Sequence, residues 1–399
     1  MKRTSRDIRT ANRSLVLRHA IAASPVSRPT LARATGLSQA TVATLVGELL
    51  ELGVLVEAGF EESGGGRPRG LVAVDAEGGA LVGVDVAETY VHVEVVDLAL
   101  RVLGRAHAEL TPEDGDPARA ARRIADAVRD ATERAAAGRR VLGVGISMPG
   151  MVDREGGVSV FAANWNWHGV PLLALLAEHL PHPLHLDNPM RACVVAELWF
   201  GAARGRDDAV VVNLGTGVGA GLAFGGGPHR GASNSAGEWG HTTLVLDGRP
   251  CHCGRRGCVE TYVGAPGILR TVAELDPGSA LLRAGDQTAA LDALAAALER
   301  GDPTAEAALG RTAHCLGAAI GDLVNLLDPE VVVLTGWVAR RLGRRLLDAV
   351  RPAVAAHALP RPSAAVEILL SPIGANPVSL GAATFALEGA LNPGAGAPR

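Results

Sequence analysis

The chain has 399 residues, 48% hydrophobic and 20% charged, with 50 glycines, 23 prolines and a net charge of −4. That length exceeds one ordinary core and calls for two or three folding units, and the balance describes a globular α/β chain with many tight turns, excluding disordered and fibrous classes. The charge is uneven: Met1 to Gly47 holds Lys2, Arg3, Arg6, Arg9, Arg13, Arg18, Arg28 and Arg33 against one acid, Asp7, about +7 on the first segment and about −11 on the rest. A basic end on an acidic body suits a phosphate-binding head and a body that repels nucleic acid, although a merely solvated basic face has the same composition.

In chain order, seven charges between Met1 and Arg18 and no apolar stretch predict that no secretory signal opens the chain. Leu17 and Ile21, four apart, mark a first helix that ends in a loop at Ala23 to Val26. Ser27 caps a short second helix containing Leu31 and Ala34, and Thr35-Gly36-Leu37 forms a turn. Ser38 caps a third helix, with Leu37 and Val42 as its hydrophobic staple and Val42, Leu45, Val46, Leu49 and Leu52 as its core stripe. That stripe leaves Gln39, Ala40, Thr41 and Thr44 outward at the helix start. Gly53 to Glu57 and Leu71 to Asp75 read as two strands joined by the tip Gly64-Gly65-Gly66-Arg67-Pro68-Arg69.

Helix, glycine turn and a helix with a free polar N-terminal face make a helix-turn-helix, and the strands add a wing. The DNA-contacting set is Arg28, Arg33, Ser38, Gln39, Ala40, Thr41, Thr44, Arg67 and Arg69. Gln39 can pair two-pronged with adenine and Thr41 can touch bases or phosphate, while the arginines suit phosphates or a narrow minor groove. A three-helix protein-interaction module with a flexible linker is the competing reading of the same residues.

Beyond residue 79, strands at Leu81 to Val86, at Val91, Val93 and Val95, and at Val141 to Ile146 alternate with helices at Pro117 to Ala137, Pro171 to Leu180, Met190 to Gly201 and Thr304 to Leu327. The strand-and-turn pattern returns at Ala209 to Gly221, implying two α/β lobes of related design with a cleft between them. Ala209 to Pro228 is uncharged and about as long as a membrane span, yet its glycines and Asn213 favour buried strand and loop, so no membrane partner is expected. The expected division is a DNA-binding domain at 1–76, a sensor domain at 79–390 with lobes at about 79–200 and 201–390, and a flexible tail at 391–399. Cys251, Cys253 and Cys258 crowd together while Cys193 and Cys315 stand alone, which is metal-site spacing in a reducing, cytoplasmic protein rather than a disulfide framework.

Glu238-Trp239-Gly240-His241, followed by Cys251-His252-Cys253-Gly254-Arg255-Arg256-Gly257-Cys258-Val259-Glu260, resembles the signature of the ROK family of repressors, open reading frames and kinases. The likeness runs from about Gly79 to Ala390, and the preceding head resembles the family's repressor branch. It implies an actin-like, ribonuclease H-like body of sugar-kinase type. His241, Cys251, Cys253 and Cys258 then supply one nitrogen and three sulfurs, which closes a tetrahedral, structural Zn2+ site with no place for a reactive water. Unliganded cysteines in a glycine-rich loop are the alternative.

By the same resemblance, Asn188, Glu238, His241 and Glu260 grip sugar hydroxyls; carboxylates suit this because they accept two hydroxyl protons. A purely structural role beside the metal is the other reading of Glu238 and Glu260. Kinase chemistry looks lost. Counting back from Glu197 puts Asn188-Pro189-Met190-Arg191 where the kinases carry Asn-Asp-Ala-Asn, and proline has no oxygen to accept the sugar proton. Asp85-Val86-Ala87-Glu88-Thr89-Tyr90 replaces the first phosphate loop and sets Glu88 where phosphates need a cation. Asn213-Leu214-Gly215-Thr216-Gly217-Val218-Gly219 keeps a second phosphate-type loop, which also reads as an inherited turn, and Gly336-Trp337 puts an indole in the adenosine loop. The expectation is a sugar-responsive transcriptional repressor and not an enzyme, a homo-oligomer, dimer or tetramer, bound to a double-stranded operator. An active sugar kinase with a DNA-binding head, or a constitutive regulator controlled by a partner protein, are its alternatives.

Overall fold

The structure is a computed structural model and describes residues 5–61, 68–136, 138–162, 165–374 and 376–391. The head opens with α1 (Ser5–Ala23), β1 (Val26–Ser27), α2 (Arg28–Thr35) and α3 (Gln39–Glu51), followed by β2 (Leu55–Phe60) and β3 (Gly70–Val74). Leu17, Leu31, Val42, Leu45, Val46 and Leu49 are buried, so the three helices share the core that the spacing predicts. Leu52 departs from the expected stripe at 36% exposure, because the helix stops at Glu51 and Leu52 is its C-cap. Ala34 is exposed too, and Ala32 faces inward instead. Gly36 takes a φ of 70°, the left-handed conformation that ends α2. Two residues have no readable period, which is why β1 has no counterpart in the sequence pattern; it pairs with β3 to give a three-stranded sheet ordered β1-β3-β2.

After the head come β4 (Ala80–Val86), β5 (Tyr90–Asp97), β6 (Val102–Glu109), α4 (Pro117–Ala135), β7 (Val141–Ser147), β8 (Met151–Asp153), β9 (Val158–Ala162), β10 (Trp167–Val170), α5 (Leu172–Ala177), β11 (Leu184–Asp187) and α6 (Pro189–Phe200). The central sheet runs β11-β7-β4-β5-β6, its first two pairings parallel and the others antiparallel. The next unit holds β12 (Ala209–Leu214), β13 (Val218–Phe224), β14 (Gly227–Pro228), α7 (Glu260–Val263), α8 (Ala265–Leu275), α9 (Gln287–Glu299), α10 (Pro303–Leu327), β15 (Val331–Thr335), α11 (Gly336–His357), α12 (Pro360–Ala365) and β16 (Glu367–Leu370). Its sheet, β14-β13-β12-β15-β16, repeats the first in mirror listing: an antiparallel meander followed by two parallel additions. The Ala209 to Pro228 segment is strand and turn, and among the described residues no helix is long and apolar enough to cross a membrane.

Lobe boundaries differ from the expected ones. The compact units are 1–192 with 375–399, and Cys193–Gly374. The last helix, α13 (Pro377–Ala390), therefore packs on β4 and β7 of the first unit rather than closing a lobe at 201–390. Small residues allow this. A Cβ at Gly83 would lie 1.8 Å from the Ser379 carbonyl oxygen, and one at Gly145 would lie 1.7 Å from that of Ala382, so the helix backbone rests directly on the sheet. The same helix explains why Glu94, which alternates with Val93 and Val95 along β5, is fully buried: it accepts hydrogen bonds from Ser379 at 2.8 Å and Arg105 at 2.8 Å.

Candidate functional site

On α3 the predicted cap is formed, with the Thr41 N–H donating to Ser38 Oγ at 3.1 Å. Ser38 and Thr41 also share a hydroxyl contact of 2.8 Å, and Thr44 donates back to the Ala40 carbonyl at 3.1 Å. Ser38, Gln39, Ala40 and Thr44 are exposed and Thr41 is half-buried, so the helix presents its N-terminal polar face to solvent. Ser27 precedes α2 but does not cap it through its side chain; its hydroxyl meets Thr30 at 2.9 Å.

The arginines are less free than their positions in sequence indicate. Arg28 pairs with Glu57 of β2 at 2.7 Å, and Arg69 lies 3.9 Å from Glu61. Arg33 is exposed and donates to Thr30 at 3.2 Å, while Arg67 and the glycines of the tip lie outside the described residues. Arg9 and Arg13 both donate to Glu48, at 3.1 and 3.2 Å, so part of the basic charge ties α1 to α3.

In the unit from Cys193 to Gly374, a short helical turn, Glu238–His241, lies flat on β13. A Cβ at Gly240 would come 1.9 Å from the Val218 carbonyl oxygen and one at Gly237 2.0 Å from that of Ala220, so only glycine permits this approach. The turn delivers His241 to a loop that carries Cys251, Cys253 and Cys258, and all four ligand atoms lie within 4.8 Å of one another. Cys251 Sγ is 3.6 Å from His241 Nδ1, and Cys253 Sγ is 3.7 Å from Cys258 Sγ. A tetrahedral zinc with ordinary bond lengths would set sulfur–nitrogen edges of about 3.6 Å and sulfur–sulfur edges of about 3.8 Å. The donor set and its spacing thus fit such an ion. Burial pushes the Cys251 thiol up to about 12, so metal binding there displaces a proton.

Arg249 anchors the loop: its guanidinium donates to the carbonyls of Thr261 at 2.9 Å and Gly267 at 3.0 Å, to Thr271 at 2.9 Å and to Glu274 at 2.6 Å, and it stacks on Tyr262. Sequence reasoning missed it, since one arginine among so many carries no signal.

The four expected sugar ligands differ in environment. Glu238 is exposed and His241 half-buried. Glu260 is almost buried; its Oε2 accepts the Val218 N–H at 3.0 Å, and His252 Nδ1 lies 3.1 Å from its Oε1. His252 was not among the sequence-predicted residues. Asn188, in the other unit, has both ends of its amide in use: Nδ2 donates to the Gly150 carbonyl at 2.9 Å, and Oδ1 accepts the Met190 N–H at 2.8 Å. It acts as the cap of α6, whose first residue is Pro189, a position where proline's fixed φ and missing N–H fit the helix start.

At the second phosphate-type loop, Gly215 donates to the Gly217 carbonyl at 3.1 Å and Thr216 donates to Gln287 at 3.3 Å. The indole of Trp337 closes on this loop: a Cβ at Gly215 would sit 3.2 Å from Trp337 Nε1. Arg341 covers the indole at 5.1 Å and pairs with Asp292.

Residues 81–388 match the sequence profile of the ROK family. The chain belongs to the ROK family. It is similar to the xylose repressor of Caldicellulosiruptor bescii, 28% identical over 353 residues that take in 87% of this chain and 88% of that protein. It is also similar to the glucokinase of Thermotoga maritima, 31% identical over 314 residues, 77% of this chain and 97% of the enzyme. Among solved structures, a ROK family transcriptional regulator described as a homolog of the E. coli MLC protein superposes with a TM-score of 0.78 at 24% identity, covering 96% of this chain and 98% of that one. The shared fold therefore extends through the head as well as the body.

Proposed function

We propose that this ROK protein is a sugar-responsive, DNA-binding transcriptional repressor of carbohydrate-related genes, in which a winged helix-turn-helix head reads an operator and the kinase-like body senses the sugar. The observation that carries the reading is α3: a side-chain-capped helix whose inner face builds the head core while Gln39, Ala40 and Thr44 stay open to solvent at its N-terminus. The repressor relatives at near full-length coverage support it. Gln39 and Thr41 face base edges, and Arg28, Arg33, Arg67 and Arg69 lie along phosphates. Two heads in a dimer double those contacts on a near-palindromic site.

The body holds a structural Zn2+ on His241, Cys251, Cys253 and Cys258, which fixes the loop presenting Glu238, His241 and Glu260 to sugar hydroxyls. Phosphoryl transfer is absent from this scheme. Pro189 has no proton-accepting side chain, Glu88 repels phosphate, and the Trp337 indole occupies the space against the second loop. The sugar acts by binding one arrangement of the protein better than the other, a coupling of about 1 to 3 kcal/mol.

Selecting bound fragments of the source genome with the purified protein, then repeating the selection with a panel of sugars, tests this directly. A discrete set of operators released by one sugar is the expected result. No fragment retained above background at low salt refutes the DNA reading, and ATP-dependent phosphorylation of a sugar at ordinary kinase rates refutes the non-catalytic body.

A further inference from the structure

We propose that His252 is a positioning residue for Glu260, locking the carboxylate that the proposed sugar site places against substrate hydroxyls; the inference rests on that reading. His252 is not in the four-ligand set of His241 and the three cysteines, and its side chain is 63% exposed, so core packing does not account for it; with His241 and Glu260 it also forms a group close enough to hold a metal, a role that the zinc count below separates from positioning. Its Nδ1 nevertheless lies 3.1 Å from Glu260 Oε1, and its ring stands edge-on to that of His241 at 5.3 Å between centroids.

Glu260 has two oxygens to hold. Oε2 accepts the Val218 N–H at 3.0 Å, from the strand that follows the phosphate-type loop. Two groups face Oε1: His252 Nδ1, and Cys251 Sγ at 3.8 Å. As a free thiol, Cys251 could donate to it. As a metal-bound thiolate it has no proton and carries negative charge, so the imidazole N–H becomes the group that fixes Oε1. The metal also orders the donor. His252 sits between Cys251 and Cys253, two ligands in the proposed set, so its backbone is immobilised when the ion binds, and the entropy of ordering it is lost before sugar arrives. Metal occupancy is thereby transmitted through one side chain to the orientation of a carboxylate.

The test uses zinc-loaded full-length protein as wild type, His252→Ala and His252→Asn. Each is titrated calorimetrically with D-xylose and with D-glucose, the sugars named by the repressor and glucokinase relatives, and zinc per chain is measured by mass spectrometry. Asparagine Nδ2 reaches the place of the histidine Nδ1 and can give the same hydrogen bond. Zinc content should stay the same in all three. Sugar affinity should fall at least about tenfold in the alanine variant and return to within about threefold of wild type in the asparagine variant. A His252→Ala protein that binds as wild type does, or an asparagine variant no better than alanine, overturns the role of His252 alone; loss of zinc in His252→Ala reassigns the residue to the metal and overturns it as well. Wild type that binds neither sugar overturns the sugar reading, and this inference with it.

Discussion

Stripping the metal from the Cys251–Cys258 loop should lower the melting point of the unit from Cys193 to Gly374 and leave the head intact. An ion that binds the native site and is held at a thousand times its dissociation constant adds about 4 kcal/mol of stability. A unit of about 180 residues shifts its midpoint by about 2 to 4 °C per kcal/mol, so chelation should lower that transition by roughly 10 °C. Cys258→Ser removes a fully buried member of the proposed ligand set and should reproduce the shift, whereas Cys315→Ser, outside the cluster, should not. Arg249, with its bonds to Thr261, Gly267, Thr271 and Glu274, keeps the loop base docked, so partial rather than complete unfolding is expected. Differential scanning calorimetry with and without chelator, alongside metal analysis, reads the effect. A metal-loaded protein whose transition moves by less than about 2 °C on chelation would refute the structural role, as would equal effects of the two cysteine substitutions.

Substituting Arg67 and Arg69 together by alanine should weaken binding to all DNA sequences and flatten the log–log salt dependence by about 1.8, near 0.9 for each phosphate no longer neutralised; an unchanged slope in a filter-binding series removes the wing from the interface. Glu57→Gln frees Arg28 from its 2.7 Å partner, so DNA affinity should rise and its salt dependence steepen, whereas Arg28→Ala should do the opposite; identical responses would show that Arg28 never reaches phosphate. Burial, with Arg154 adding to it, pushes His185 down to about 4. The unfolded chain, with an ordinary histidine near 6.5, takes the proton first, so the stability that neutral His185 contributes is complete above pH 6.5 and is lost as pH falls toward 4. The melting temperature of the first unit should fall across that window, and His185→Gln should flatten the fall; a parallel curve in the variant contradicts the assignment.

Local chemistry was legible in the residue string at several short segments, though not around α2, where Ser27 does not cap through its side chain and Ala32 rather than Ala34 faces the core. The Ser38 cap, the apolar stripe at Val42, Leu45, Val46 and Leu49, and the cysteine spacing each depend on neighbours a few positions apart, and each appears in the structure in the expected form. The signature from Glu238 to Glu260 identified the family for the same reason. Partners distant in sequence were not legible. Arg28 gave no sign of its ion pair with Glu57, 29 residues on, and nothing in Asn188 itself told that its amide would be taken up by Gly150 and Met190.

By itself, then, the sequence determined the start of α3 and its core stripe, the clustering of His241 with Cys251, Cys253 and Cys258, and the repeated strand pattern, because caps, stripes and ligand spacings are short-range. The tertiary structure decided that α13 returns to the first sheet, where Gly83 and Gly145 admit its backbone, that Arg249 holds the cysteine loop, and that Trp337 closes on Gly215. Those outcomes depend on which surfaces meet once distant segments pack, and close packing discriminates among glycine, alanine and tryptophan at a contact that no local pattern announces.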